Sequence, residues 1–300
     1  NELGYIPIMM YHNIVNISSA PYIGGNIDKN GYSRTKDAFI NDLEMYYKSG
    51  YRMIRLIDYI DGNIDVKIGK SPIVLTFDDG NDNNIKVIEE DENGNIIIDP
   101  NSAVGILESF KNKYKDFNIT ATFFLNEGLF NQPKYNEKIL KWLIKNGYDI
   151  GNHTYGHVDF SKIDINETQK SIALIYKKLN NIIESSYVNV ISLPYGSPYS
   201  KEHDNYKYII NGEYDNFKYE TKGILRVGWD SNPSPFSKFF DPLFIKRVRA
   251  YDNLGKEFDI EMVFKQLEST KYISDGDKDT VVIKDVENLN NNINKKIIKY

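Results

Sequence analysis

Short apolar runs rich in β-branched and aromatic residues recur along this chain, and the segments between them return apolar residues at helical spacing. Few architectures accommodate that alternation. A strand buried on both faces needs helices on either side, so repeated strand–helix units predict an α/β fold with a largely parallel sheet or barrel. The strand candidates are residues 6–12 (IPIMMYH), 52–56 (RMIRL), 72–77 (PIVLTF), 121–125 (ATFFL), 148–153 (YDIGNH), 188–194 (VNVISLP) and 223–229 (GILRVGW). Helical spacing runs through 35–50, closed by Gly50, and through 136–147, closed by Gly147. A third helix is expected over 166–183, with Asn166 as candidate N-cap. Two stretches interrupt the rhythm. Residues 85–99 carry Asn93-Gly94 between β-prone arms and 206–220 carry Asn211-Gly212, so both read as inserted hairpins. The expected organisation is one domain over 1–270, followed by an extension over 271–300, packed on or peripheral to the sheet or barrel, with a strand candidate at 280–284.

Composition removes several function classes. At 41% hydrophobic, 300 residues supply a sizeable core. A formal net charge of −5 argues against a partner held through phosphates, so no nucleic acid is expected. Cysteine is absent, which leaves only nitrogen and oxygen ligands for any metal. No apolar run reaches the roughly 20 residues of a membrane span. A chain opening at Asn1 rather than Met fits a precursor trimmed of its leader, and an extracellular or cell-surface location is expected. The 23 tyrosines suit carbohydrate contact as well as cores.

In parallel α/β folds, reactive groups collect where strands end, because the loops there converge. Asp78 and Asp79 follow VLTF, His153 follows YDIGN, Pro194 and Tyr195 follow VISL, Trp229 and Asp230 follow LRVG, and His12 ends IPIMMY. His153 and His157 are spaced i, i+4, which on a helical turn offers two imidazoles to one metal. One added carboxylate completes three ligands and leaves positions open for water and substrate.

TFDDG (76–80) followed by HTYGH (153–157) resembles the first two motifs of the polysaccharide deacetylases, the NodB-homology or carbohydrate esterase family 4 proteins. The resemblance covers roughly residues 70 to 250, and MMYH (9–12) extends it toward the start, as in secreted bacterial members. It implies a deformed (β/α) barrel of about seven parallel strands that removes N-acetyl groups from amino sugars. It also implies a divalent metal, Zn²⁺ ahead of Co²⁺ or Ni²⁺, and an N-acetylated glycan substrate such as peptidoglycan, poly-N-acetylglucosamine or a chitin-like polymer, with the protein a monomer. Carried over by residue, Asp79, His153 and His157 are the metal ligands and Asp78 the general base.

LPYGSP (193–198) resembles the third motif, in which the backbone N–H of the tyrosine, here Tyr195, steadies the oxyanion. The arginine that precedes this motif in the family is replaced by Ser192 or Leu193, and Arg247 is the first candidate to substitute for it, Arg249 the second. VGWDSNP (227–233) resembles the fourth motif, with Trp229 as a wall of the acetyl pocket and Asp230 as support for a histidine. Pro194, Tyr195, Trp229, Asp230 and Arg247 form the expected substrate-binding set. The fifth motif, which supplies the proton for the leaving amine, is missing after His203. His12 is assigned that role, the alternative being a structural histidine beneath the site. Two altered motifs also leave open a carbohydrate-binding pseudoenzyme, or a hydrolase of small amides or esters.

Overall fold

A computed structural model describes all 300 residues. Its centre is a sheet of eight short strands: β1 (Ile8–Tyr11), β2 (Tyr51–Met53), β3 (Ser71–Phe77), β4 (Thr122–Leu125), β5 (Asp149–Asn152), β6 (Val190–Ser192), β7 (Gly223–Leu225) and β8 (Val248–Arg249). The order is β7-β6-β5-β4-β3-β1-β8, with β2 paired to the start of β3, and every pairing is parallel. The seven strands along this path make the deformed barrel. One segment links its two edges. Ile245 bridges to Leu225 beside β7, and three residues later Val248 and Arg249 pair with Met9 and Met10 of β1.

Alternation along β3 shows how the layers form. Ile73, Leu75 and Phe77 join a cluster of 38 buried residues shared with the helices. Val74 belongs to a second cluster with Ile8, Phe124, Val190 and Leu225, from the facing sides of β1, β4, β6 and β7. Each such side chain contributes roughly 1.5–3 kcal/mol by leaving water. Thr76 and Asp78 continue the Val74 side, because successive side chains on a strand point to opposite faces.

Five longer helices pack outside: α1 (Lys36–Lys48), α2 (Ala103–Lys113), α3 (Asn136–Lys145), α4 (Ile165–Ile183) and α5 (Ile260–Thr270). Four open on a side-chain cap, from Thr35, Ser102, Asp164 and Asp259. The α4 cap is therefore Asp164 rather than Asn166. Its carboxylate accepts the Glu167 N–H at 2.8 Å, which starts the helix two residues earlier than the sequence suggests.

The hairpin around Asn93-Gly94 pairs Val87–Glu90 with Ile96–Ile98. In the second insertion the turn lies elsewhere. Asn211–Tyr214 pairs with Phe217–Glu220 around Asp215 and Asn216, both at positive φ, while Asn211-Gly212 opens the first arm and residues 206–210 are helical. Two turn signals compete here, and the centre with both residues left-handed prevails. At the far end, Thr280–Ile283 pairs with Lys296–Lys299, Val281 and Ile283 are buried beside Ile6 and Ile8, and the Glu2 carboxylate accepts the Val282 N–H at 2.6 Å. No helix is long and apolar enough to cross a membrane.

Candidate active site

Asp78 leaves β3 on the inner side of the barrel and is 1% exposed. Arg247 donates to both its oxygens, Nη1 to Oδ1 at 2.8 Å and Nη2 to Oδ2 at 2.7 Å, and Ser192 Oγ donates to Oδ2 at 2.9 Å. The guanidinium is itself saturated. It donates further to the Arg226 carbonyl, to Thr76 Oγ1 and to Ser192 Oγ. Burial alone would push the Asp78 carboxyl up, but the charges of Arg247 and His153 outweigh it and hold the group well below the usual carboxylate range. Asp78 is thus an anion fixed in place.

Arg247 reaches this point because residues 245–249 span the barrel edges. The expected position at the mouth of the site, in contact with substrate, is not where it lies. It is 0% exposed and sits behind Asp78, so it touches the carboxylate and not a ligand.

Asp79 faces another way. Its φ is 76° and that of Gly80 is 61°, so two left-handed residues in succession turn the chain and separate adjacent carboxylates. Glycine is required at 80 on a second count: a Cβ there would lie 1.9 Å from the Leu129 carbonyl oxygen. Asp79 Oδ1 then lies 3.1 Å from His153 Nε2 and 3.5 Å from His157 Nε2. The two histidines come together by a route other than the expected helical turn. Residues 153–157 form a turn with positive φ at Thr154, Gly156 and His157, tied down by Asn126, which donates to the His153 and Thr154 carbonyls.

These three residues fit a divalent cation. His153 Nδ1 lies 2.8 Å from the Ser192 carbonyl, which can only accept, so Nδ1 carries the proton and Nε2 presents a lone pair. That lone pair confronts Asp79 Oδ1, a buried oxygen with no hydrogen-bond donor. Two acceptors 3.1 Å apart call for positive charge between or beside them. One ligand atom from each of Asp79, His153 and His157 lies within 4.8 Å of the other two. Negative charge dominates here: burial disfavours a charged His153, yet Asp78 and Asp79 raise its pKa, so without a metal a proton on Nε2 supplies the positive charge that a cation would otherwise bring.

A cavity of about 260 Å³ opens onto both carboxylates and all three histidines, His12, His153 and His157. His12 Nε2 is 3.8 Å from Asp78 Oδ2, and burial pushes its pKa down despite the nearby carboxylates. Tyr195 lines the cavity too, with φ 59° and its ring edge-on to His157 at 4.7 Å.

The remaining expected contacts are corrected by their surroundings. Pro194 is buried and starts the short turn that carries Tyr195, so it shapes backbone without meeting the cavity. Trp229 is 54% exposed and does not line this cavity, whereas Val227, two residues before it, does. Asp230 touches no histidine. It accepts the Ser231 N–H at 2.7 Å and lies 4.0 Å from Lys246 Nζ, serving its own turn.

Sequence reasoning passes over three residues. Ser192 stands where the family pattern has arginine, and it joins the two halves of the site, bonding Asp78 through Oγ and His153 through its carbonyl. Asn13 and Tyr32 line the cavity without any motif to mark them, although Asn13 is the residue after His12.

Residues 65–209 match the family model described as polysaccharide deacetylase. Over 107 residues, 33% of this chain, the sequence is 33% identical to a chitin deacetylase of Arthroderma benhamiae, covering 28% of that protein. Over 128 residues, 42% of this chain, it is 29% identical to a peptidoglycan-N-acetylglucosamine deacetylase of Bacillus cereus, covering 37% of that protein. The chain thus spans well under half the length of either relative. Among solved structures, the Streptococcus pyogenes deacetylase PplD in complex with acetate shares the fold with TM-score 0.59 and 20% identity, over 83% of this chain and 94% of that one. A polysaccharide deacetylase from Bacillus cereus does so with TM-score 0.57 and 19% identity, over 82% and 64%.

Proposed function

This chain belongs to the polysaccharide deacetylases of the NodB-homology fold, and we propose that it removes N-acetyl groups from the amino sugars of a cell-envelope or extracellular glycan. The observation that carries the reading is the contrast within one cavity: an anionic Asp78 locked by Arg247 beside three converging ligand atoms whose acceptors lack a donor.

Asp79, His153 and His157 would hold the cation, with Zn²⁺ the first choice for two imidazoles and one carboxylate and Co²⁺ or Ni²⁺ also suited. When bound, such an ion supplies Lewis acidity toward the acetyl carbonyl and lowers the pKa of water. Asp78 takes the proton of the attacking water, and Arg247 and Ser192 keep its lone pairs in one orientation. The Tyr195 backbone N–H, presented by the left-handed turn, donates to the developing oxyanion. His12, whose Nε2 lies 3.8 Å from Asp78 Oδ2, acts as the general acid by relaying to the departing amine the proton that Asp78 takes from water. The C–N amide bond breaks, and acetate and the glucosamine-type amine leave. A glycan of this kind places the enzyme outside the cell or on its surface.

Acetate release tests the proposal. The chelated protein is reloaded with Zn²⁺, Co²⁺ or Ni²⁺ and given chito-oligosaccharide or peptidoglycan, in parallel with Asp78→Asn. Acetate is expected from the metal-loaded chain, with a loss of about 10²–10⁴-fold in the variant, the usual contribution of a positioned base. Glycan binding without acetate under all three metals would leave a carbohydrate-binding protein instead.

A further inference from the structure

Tyr32 lies far from every motif, yet its side chain lines the cavity beside His12, edge-on to the imidazole with ring centroids 5.0 Å apart. Its ring also faces the Arg249 guanidinium at 5.4 Å. Its hydroxyl has no hydrogen-bond partner in the protein, unlike the buried tyrosines nearby, where Tyr11 bonds Asp42 and Tyr46. An aromatic face and an unengaged hydroxyl at a cavity wall are what a sugar ring needs, C–H against the ring and O–H to the oxygen.

The loop that carries Tyr32 is fastened hard. Asp28 accepts the backbone N–H groups of Asn30, Tyr32 and Ser33. Asn13–Val15 and Ser33–Thr35 clamp the loop ends by pairing in parallel. Below them Arg34, almost fully buried, forks onto Asp42 and also holds Asp252, which accepts the Gly25 N–H. Arg249 donates to the Asn30 carbonyl at 2.8 Å. The ring is therefore preorganised, and ligand contact costs little ordering.

Resting on the reading of His12 as the proton donor to the leaving amine, we propose that Tyr32 is a substrate-binding residue that stacks on and hydrogen-bonds the amino sugar on its leaving-group side. The other apolar lining residues, Leu193, Tyr195 and Val227, follow β6 and β7, whereas Tyr32 arrives with the N-terminal loop, next to His12. Tyr32 thus selects for a sugar, and the loops after β6 and β7 are left to the acyl group.

The test compares two substrates on the metal-loaded full chain: an N-acetylated chito-oligosaccharide and an aryl acetate ester that has no sugar. For Tyr32→Ala, the ratio of kcat/KM on glycan to kcat/KM on ester is expected to fall about tenfold, chiefly through KM, as loss of one stacked ring and one hydrogen bond implies. Tyr32→Phe keeps the ring, and should recover roughly half of that loss on a logarithmic scale. Equal falls on both substrates, or an unchanged ratio, would make Tyr32 a mere wall and overturn the inference while acetate release from glycan still upheld the deacetylase reading. Wild-type turnover of the ester with none of the glycan would overturn both. A melting curve for each variant separates lost contact from lost fold.

Discussion

Asp78 and Asp79 are adjacent in the chain and occupy opposite environments. The floor of the cavity, around Asp78, is complete: two guanidinium hydrogens and a hydroxyl satisfy a fully buried carboxylate. The lip, around Asp79, is incomplete, with a buried oxygen lacking any donor and two imidazole nitrogens turned toward it. One carboxylate has its cation built into the fold. The other belongs to a set of acceptors that needs positive charge from outside the side-chain framework, a proton or an added cation. On the proposed function, the same residue type serves as base or as ligand according to which positive charge the chain provides.

Arg247→Ala should show the difference most strongly. It strands a buried anion, and a loss of about 3–5 kcal/mol in unfolding free energy is expected from denaturant titration. Asp79→Ala, in metal-free protein, should leave stability equal or higher, and matching losses in the two variants would erase the distinction between floor and lip. Metal addition runs the comparison the other way. At 100 times its dissociation constant, Zn²⁺ should stabilise the wild type by about 2.7 kcal/mol, read as a rise in Tm, and should give no rise in Asp79→Ala.

Acid titration offers a test of sign. The folded-state pKa of Asp78 is depressed, so its contribution is fully present above the unfolded value of about 3.9 and is lost as pH falls below it. In Arg247→Ala burial acts with far less opposition and raises that pKa, so the Asp78 contribution should reverse direction, with the variant losing less stability than wild type on acidification. Parallel pH–stability curves for the two proteins would refute the assignment of Arg247 as the dominant charge. The smallest effect belongs to Ser192→Ala, which removes the hydrogen bond given to Asp78 and the one accepted from Arg247 and should cost about 2 kcal/mol, with a calorimetric Tm shift as the measure.

Local features are legible in the sequence, and features that depend on closure are not. TFDDG and HTYGH sit directly at the ends of β3 and β5, so their side chains meet wherever those strands share a sheet. The helical-turn rationale for His153 and His157 nevertheless fails, because spacing alone does not distinguish a helix from a turn with three left-handed residues. Arg247 stands 169 positions from Asp78, and its contact follows from how the last strand docks. α2 keeps helical spacing, with buried residues at 103, 104, 106, 107 and 110, but Gly105 lowers its helix propensity; a Cβ there would lie 2.2 Å from the Asp99 carbonyl oxygen, so glycine serves packing at the expense of that propensity. Trp229, Asp230 and Pro194 are placed by motif alone, and motif does not specify which way a loop side chain turns. Tyr32 has no signal at all, since its position is set by a loop braced through Asp28, Arg34 and Arg249.

The segment that joins the two barrel edges also imposes an order on biosynthesis. A ribosome that has released the first 240 residues has already made His12, Asp78, Asp79, His153, His157 and Ser192, but not the arginine that neutralises their floor. Until residues 245–249 emerge and slide between β7 and β1, Asp78 has no guanidinium and the cylinder has a slit along one side. The counter-charge of Asp78 and the completion of the wall therefore arrive together, in the same five residues.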